Sequence, residues 1–391
     1  MGLFSKKRAY LDWAAAAPVS DAAARAYMRA RKAYGNPSSP HAEGRAAKDI
    51  LEAARTKIAR LMEVKADDVV FTSGATEANA LAIVGHACSL IRSGRKPESI
   101  RFLYLPSSHA SIAGTMQILR DEWIRVEELP VRNGRIEIEA LAPMLTQEAS
   151  LISMDAVCGE TGTVWNTREV AEACKGTRTL LHVDATQAPL TQKFSRAHFN
   201  ADIVTLDASK VGGMRGIGAL IAHRTLPLSA VMSGGGQERG LRPGTESPAL
   251  AASFAAALEE AKEGREAFGG RALRAKQDLI SEIRGIPGLV MNTGAATVPN
   301  ILNVSLPGRD TDYLIALLDH AGFAVSTRSA CETNSTEGSR AVFVLTGDTE
   351  RAKSTLRVSW GPSTSDPELR RFAGALREAV RFLDAAKSAI L

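Results

Sequence analysis

Short apolar segments alternate with helical patterns through the first two thirds of the chain. After a helical pattern from about residue 46, the segment "DDVVFTSG" has the character of a short buried strand that ends in a turn. Five later segments are similar: "IRFLYL", "SLISM", "TLLHVDA", "ADIVTLDA" and "GIGALIA". Helical stretches such as "TREVAEACKG" separate them. This alternation predicts an α/β fold whose mostly parallel sheet is covered by helices on both faces.

The pattern changes after about residue 250. A long segment rich in Ala, Glu, Lys and Arg follows, with two consecutive glycines at Gly269 and Gly270. The remaining chain contains the strand patterns "NILNVSLPG" and "STLRVSWG" and two helical patterns, which is typical of a compact α+β unit. We therefore predict a large domain over 16–258 and a smaller α+β domain over 259–391, with 1–15 packing against the smaller one.

Composition and charge narrow the class of protein. The 391 residues are 45% hydrophobic, which is enough for a sizeable core. The net charge of +5 is mild and spread along the chain, so it does not favour direct nucleic-acid binding. Apolar runs fall short of the roughly 18 residues of a spanning helix, and the N-terminus lacks a signal-peptide pattern. We expect a cytoplasmic protein with no membrane contact.

The four cysteines are far apart, without CxxC or Cys/His spacing, so neither disulfides nor a metal site is predicted. Cys88 and Cys174 lie in apolar helical patterns and are expected to pack as small core residues. Cys331 differs, because its segment "VSTRSACETNSTEGSR" is small and polar. That composition indicates an exposed thiol on a loop.

Two segments place polar groups where strands end. In "TSGATEAN", Gly74, Ala75 and Thr76 begin a predicted helix, where backbone N–H groups can bind a phosphate or simply cap the helix. In "HVDATQ", Asp184 lies at the C-terminal end of an apolar strand. Its carboxylate either points into the crevice where α/β proteins bind ligands or caps the next helix.

A third segment, "DASKVGGMRGIGAL", carries Lys210 just beyond another buried strand. A lysine there is commonly a surface residue, but a partly desolvated one can form a Schiff base. A phosphate cradle, a carboxylate for a pyridinium nitrogen and such a lysine are together the anchors that pyridoxal phosphate requires.

Nine motifs then occur in one order over most of the chain: "YLDWAAAAPVS", "GNPSSPHAEGR", "FTSGATEAN", "HVDATQ", "SKVGGMRGIGAL", "GGGQERGLRPGT", "PNILNVSLPG", "RSAC" and "LRVSWG". In these the chain resembles the class V aminotransferase-like family of pyridoxal-phosphate enzymes, and within it the cysteine desulfurases related to NifS and IscS. The resemblance implies a type I transferase fold.

The resemblance also implies roles around the cofactor ring. Lys210 would hold the cofactor as a Schiff base and later move a proton at the substrate's Cα. Asp184 would keep the pyridine nitrogen protonated, and Gln187 would bond the ring's phenolic oxygen. His109, in "SSHAS", would stack on the ring and assist proton transfer, although histidine there could also be satisfied by nearby hydroxyls.

Further roles concern the phosphate and the substrate. Thr76, beside Gly74 and Ala75, would bind the phosphate of its own subunit, and Ser209 would donate a hydroxyl to it. Thr245 would reach the partner subunit's phosphate, which implies a homodimer. Arg357, helped by Asn36, would bind the carboxylate of L-cysteine, because a guanidinium matches a carboxylate bidentately.

The resemblance also implies a role for Cys331. Its thiolate would take the sulfur of L-cysteine as a persulfide and release alanine, and positive neighbours such as Arg328 favour a thiolate. Its loop must travel between cofactor and acceptor. The acceptor would be a protein such as an iron–sulfur scaffold or a tRNA-thiolation enzyme.

Four positions depart from the family's pattern. Ser209 stands where a histidine usually precedes the lysine, and Asp207 stands where a phosphate-binding serine is common. Gly159 replaces an asparagine, and Arg328 replaces a glycine. A carboxylate at Asp207 would repel phosphate unless it turns away or is paired.

These departures leave three hypotheses open. The first is an active cysteine desulfurase. The second is a lyase or aminotransferase for another amino acid, such as selenocysteine, in which Cys331 is incidental. The third is a non-catalytic paralogue that acts as a binding partner.

Overall fold

The computed structural model describes residues 8–145, 149–327 and 338–390, with side chains up to residue 386. Cys331 and Arg328 lie outside the described residues. The chain divides into two compact units. The larger comprises Ala17–Val157 and Trp165–Arg265, and the smaller comprises the described residues of Met1–Ala16, Cys158–Val164 and Glu266–Leu391.

The secondary structure follows the alternation of the sequence. The helices are α1 Asp21–Ala30, α2 Ala42–Met62, α3 Ala75–Arg92, α4 Ala110–Asp121, α5 Ile138–Leu145, α6 Thr167–Ala173, α7 Arg196–Phe199, α8 Pro248–Ile283, α9 Thr311–His320, α10 Arg340–Thr346, α11 Thr349–Lys353 and α12 Asp366–Ile390. The strands are β1 Ala9–Tyr10, β2 Val69–Thr72, β3 Arg101–Tyr104, β4 Arg125–Glu128, β5 Val131–Arg132, β6 Arg135–Ile136, β7 Leu151–Asp155, β8 Leu180–Asp184, β9 Ile203–Asp207, β10 Gly218–Ala222, β11 Val290–Met291, β12 Ile301–Ser305, β13 Phe323–Ala324 and β14 Thr355–Ser359.

The larger unit is built on a seven-stranded sheet in the order β2-β10-β9-β8-β7-β3-β4. Neighbouring strands from β9 to β4 are parallel, and only β10 runs antiparallel to both of its neighbours. Strands β3 and β7 are buried along their whole length, as expected for parallel strands covered by helices. The predicted α/β class with a mostly parallel sheet is therefore confirmed.

The reversed strand β10 determines what lies next to the start of α3. Gly218 pairs with both Thr72 of β2 and Asp207 of β9. A Cβ atom on Gly218 would lie 2.7 Å from the backbone carbon of Gly74, so only glycine allows this approach. The end of β9 is thereby brought to the first turn of α3.

The smaller unit contains a three-stranded antiparallel sheet, β11-β12-β14, and a parallel pair of β1 with β13. The short segment Cys158–Val164 belongs to this unit, where the N–H of Val164 donates to the carbonyl of Ala296 at 2.9 Å. This segment therefore contacts residues that are distant from it in sequence.

Helix α8 runs without a break through Gly269 and Gly270. The boundary between the two units along the chain falls within this helix, between Arg265 and Glu266. The glycine pair costs about 1 kcal/mol per residue relative to alanine, too little to end a helix of 36 residues. None of the helices in the described ranges is long and apolar enough to cross a membrane.

Candidate active site

Polar side chains of the larger unit gather where β8 and β9 end and where α3 begins. Asp184 is the last residue of β8, and Asp207 is the last residue of β9. Ligands of α/β proteins bind at this edge, beyond the carboxyl ends of parallel strands. Three of the sequence-predicted anchors, Asp184, Lys210 and Ala75, therefore belong to neighbouring elements of one sheet edge.

The carboxylate of Asp184 is buried, with 4% of the residue exposed, and it is held by two donors. The N–H of Thr186 donates to Oδ1 at 3.0 Å, and Nδ2 of Asn79 donates to Oδ2 at 2.8 Å. Buried carboxylates need such donors to stay ionised. An anion fixed at this edge is suited to pair with a protonated ring nitrogen.

Asn79 links Asp184 to His109. Its Nδ2 also donates to the hydroxyl of Ser111 at 2.9 Å, and that hydroxyl lies 2.9 Å from Nδ1 of His109. His109 caps α4 and is exposed, whereas Asn79 is completely buried. The sequence analysis missed Asn79, although an asparagine within the apolar face of "ATEANALAIV" is a signal that could have identified it.

We expect the substitution Asn79→Leu to weaken binding of pyridoxal phosphate, the cofactor that the sequence predicts, by roughly tenfold or more, because a hydrogen bond to a buried charge is lost. A fluorescence titration of the apoprotein measures the dissociation constant. The control is Ser111→Ala, which leaves the bond between Asn79 and Asp184 in place. Equal affinity of Asn79→Leu and wild type would contradict this role for Asn79.

Burial keeps His182 neutral beneath the same edge. His182 precedes Asp184 by two residues on β8, and its ring lies between the hydroxyls of Ser153, at 2.8 Å, and Thr205, at 3.0 Å. Burial lowers the pKa of His182 to about 4, although the nearby Asp184 acts in the opposite direction. His182 therefore adds no positive charge below Asp184 near neutral pH.

Lys210 is half-buried and ends a single turn of 3-10 helix, Ala208–Lys210, which directly follows β9. Two backbone bonds fix this turn. The N–H of Ala17 donates to the carbonyl of Ser209 at 2.8 Å, and the N–H of Gly213 donates to that of Ala208 at 2.8 Å. The backbone that carries this amine is thus held on both sides by hydrogen bonds. Gln187, also half-buried, lies just beyond β8.

The predicted phosphate cradle is filled by a side chain of this protein. Oδ2 of Asp207 accepts the N–H of Ala75 at 2.8 Å. Oδ1 accepts both the N–H of Ser209, at 2.7 Å, and its hydroxyl, at 2.6 Å. Gly74 precedes α3 with φ of 154°, and Thr76 is exposed. The residues described here fit the ring of pyridoxal phosphate, but the donors expected to bind its phosphate hold Asp207 instead.

A second carboxylate lies at the same helix start. Glu77 accepts the N–H of Ser73 at 2.7 Å and pairs with Nε of Arg242 at 2.9 Å. Burial opposes its ionisation, but the hydrogen bonds from Arg242 and Ser73 outweigh this and lower the pKa of Glu77. The charge of Arg242 is thereby engaged, and Thr245, three residues further along, is exposed.

A buried ion pair anchors the glycine-rich segment that precedes Thr245. The guanidinium of Arg55 binds both carboxylate oxygens of Glu238 at 2.7 Å, and Glu238 also accepts the N–H of Phe71 at 2.8 Å. Glu238 and Arg239 both have positive φ, at 49° and 61°. These left-handed conformations are unfavourable for such residues, so the ion pair helps to hold the segment in place.

Arg357 belongs to the smaller unit and is 2% exposed. Its Nη2 binds Asp12 at 2.7 Å, and its Nη1 donates to the carbonyl of Gly159 at 3.2 Å. Its Nε makes no hydrogen bond within the described part of the chain. The sequence analysis did not anticipate Asp12. Asn36, the expected helper of Arg357, is an exposed residue of the larger unit whose side chain accepts the N–H of Ser38.

Known proteins are similar to this chain over most of its length. Residues 9–372 match the sequence model of the family "Aminotransferase class-V". The chain is 32% identical over 374 residues to "Cysteine desulfurase IscS 1" of Archaeoglobus fulgidus, covering 94% of this chain and 95% of that protein.

Two solved structures are similar over most of the chain. A "NifS-like protein" superimposes with a TM-score of 0.88 at 28% identity, over 96% of this chain and 100% of that one. "SspA in complex with cysteine" superimposes with a TM-score of 0.76 at 25% identity, over 91% and 99%. Since the family match spans nearly the whole chain, this protein belongs to the class V aminotransferase family.

Proposed function

We propose that this protein is a pyridoxal-phosphate-dependent cysteine desulfurase. The observation that carries the proposal is the buried carboxylate of Asp184, held by Asn79 and Thr186 at the sheet edge to which the turn with Lys210 also belongs. The 32% identical relative is named as a cysteine desulfurase, and one structural neighbour was solved with cysteine. Members of this family are pyridoxal-phosphate enzymes.

In the proposed reaction, each residue of the site would have a different role that follows from its chemistry. The bound cofactor supplies an electron sink for carbon chemistry next to the amino group. Asp184 would hold a proton on the ring nitrogen, and the amine of Lys210 would move the proton at the substrate's Cα. Arg357 would bind the substrate carboxylate, because a guanidinium matches a carboxylate bidentately.

The sulfur chemistry is assigned to Cys331. L-Cysteine and the thiol give alanine and an enzyme persulfide, so the carbon–sulfur bond of the substrate breaks, a sulfur–sulfur bond forms, and no external oxidant is needed. A protein acceptor would then take the sulfur. We also propose a homodimer and a cytoplasmic location, in which the thiol stays reduced.

Alanine formation from L-cysteine by the holoenzyme, with persulfide detected on the protein by mass spectrometry, tests this proposal. The variant Cys331→Ser should keep the visible absorbance of the bound cofactor but carry no persulfide. Cys88→Ser is the matched control, and it should retain both properties. A wild-type protein that binds the cofactor without forming alanine would contradict the desulfurase proposal.

One observation favours a second candidate, a non-catalytic binding partner. Asp207 occupies donors that the cofactor phosphate would use. A protein that remains colourless in excess pyridoxal phosphate would support this second candidate instead.

A further inference from the structure

The carboxylate of Asp207 lies where a phosphate would be bound. It accepts three hydrogen bonds from Ala75 and Ser209, with donor distances between 2.6 and 2.8 Å. Ala75 is the first residue of α3, a helix of 18 residues, and the N-terminus of such a helix attracts anions. A Cβ atom on Gly74 would lie 3.1 Å from Oδ2 of Asp207, so the backbone closes tightly around this carboxylate.

Among the described residues, the charged side chains at this helix start are already engaged. Glu77 adds another carboxylate at the same helix start, and the guanidinium of Arg242 is bound to it at 2.9 Å. Lys210 follows Asp207 by three residues, but its amine is the group that would join the cofactor's aldehyde, as the proposed function requires. A phosphate dianion would therefore meet Asp207 at close range with little compensation.

We propose that Asp207 is an internal anion that fills the phosphate cradle and determines how strongly this protein selects phosphorylated pyridoxal. This inference rests on the proposed function, because it concerns the same cofactor. Affinity then comes mainly from the ring and from Lys210, and the phosphate contributes little. The N–H and hydroxyl donors that Asp207 satisfies would donate to a phosphate once this carboxylate is removed.

Binding measurements with the apoprotein distinguish this role of Asp207 from that of a merely structural carboxylate. Two unit charges about 4 Å apart near a protein surface repel strongly enough to change an equilibrium constant severalfold to a thousandfold, depending on solvent screening. We expect Asp207→Ser and Asp207→Asn to bind pyridoxal phosphate about tenfold or more tightly than wild type. Their affinity for unphosphorylated pyridoxal should change less than about threefold, because that molecule carries no phosphate charge.

The matched control is Asp202→Asn. Asp202 directly precedes the same strand, at the end opposite to Asp207, and also accepts a backbone N–H, from Leu181 at 2.8 Å. This variant should leave both affinities unchanged. Fluorescence titration of each apoprotein with pyridoxal phosphate and with pyridoxal gives two dissociation constants for each protein, and their ratio is compared between wild type and the variants.

Inorganic phosphate provides a second measurement that needs no cofactor chemistry. Millimolar phosphate should raise the thermal unfolding midpoint of the Asp207→Ser apoprotein, since a ligand stabilises the state that binds it, but not that of wild type. A clear increase in the wild-type midpoint would overturn the proposal without any variant. Unchanged selectivity between pyridoxal phosphate and pyridoxal in both Asp207 variants would overturn it as well.

Failure of the proposed function has a different signature. A protein that binds both pyridoxal forms but makes no alanine from cysteine contradicts the desulfurase proposal, while the titrations still decide the role of Asp207.

Discussion

Replacing Lys210 by alanine should lower alanine formation from L-cysteine by roughly 10²–10⁴-fold or more, because one group is expected both to attach the cofactor and to move the Cα proton. Its turn is fixed by the bonds from Ala17 and Gly213, and no other lysine takes this position at the end of β9. The variant should also lose the visible absorbance of a covalently attached cofactor.

Borohydride reduction gives a test of attachment that is independent of turnover. In wild type, the mass of a cofactor adduct should map to the peptide containing Lys210, and the Lys210→Ala protein should carry none. Lys193→Ala is the control, since Lys193 is an exposed lysine of the same unit. An adduct on another lysine, or activity within tenfold of wild type, would disprove the assignment.

Arg55→Met should lower the free energy of unfolding by about 3–5 kcal/mol, the typical result of leaving one member of a buried ion pair unpaired. Glu238 is 6% exposed and would keep its charge next to the amide of Phe71 without the guanidinium. The stacking of Arg55 over the Phe71 ring, 4.8 Å from the centroid, would be lost as well. Urea denaturation followed by circular dichroism measures the effect.

The neighbouring helix turn offers a matched control. Lys57 pairs with Glu259 at 2.6 Å, but both side chains are about a third exposed. Lys57→Met should therefore cost less than about 1 kcal/mol. The double variant Arg55→Met with Glu238→Leu should recover part of the loss, because the unpaired charge is removed. If Arg55→Met were as stable as Lys57→Met, Glu238 would not depend on its partner.

In each unit, an internal carboxylate is bound to donors that the sequence analysis assigned to a ligand. Asp207 accepts the amides expected to bind phosphate, and Asp12 pairs with the guanidinium expected to bind the substrate carboxylate. Anionic ligands at either place must compete with a covalently tethered acceptor. Of the three guanidinium nitrogens of Arg357, Nε makes no hydrogen bond within the described residues.

The sequence by itself determined the parts of this protein that depend on local pattern. Buried strands that end in a turn are recognisable because parallel strands are apolar throughout, and the strands that end at Asp184 and Asp207 were predicted from that property. The positions of Asp184 at the end of one strand and of Lys210 just beyond the other followed directly. The nine ordered motifs also indicated the family, because they extend over most of the chain.

Only the tertiary structure decided which groups these residues bind. The reversal of β10 brings Asp207 to Ala75, 132 residues away, and α3 brings Asn79 to Asp184, 105 residues away. The pairing of Arg357 with Asp12 spans 345 residues. Side-chain partners at such separations are determined by strand order and close packing, and these produce no periodic pattern in the sequence. The sequence therefore predicted candidate residues for the site, and the fold shows that Asp207 accepts the amide of Ala75, which was expected to bind phosphate.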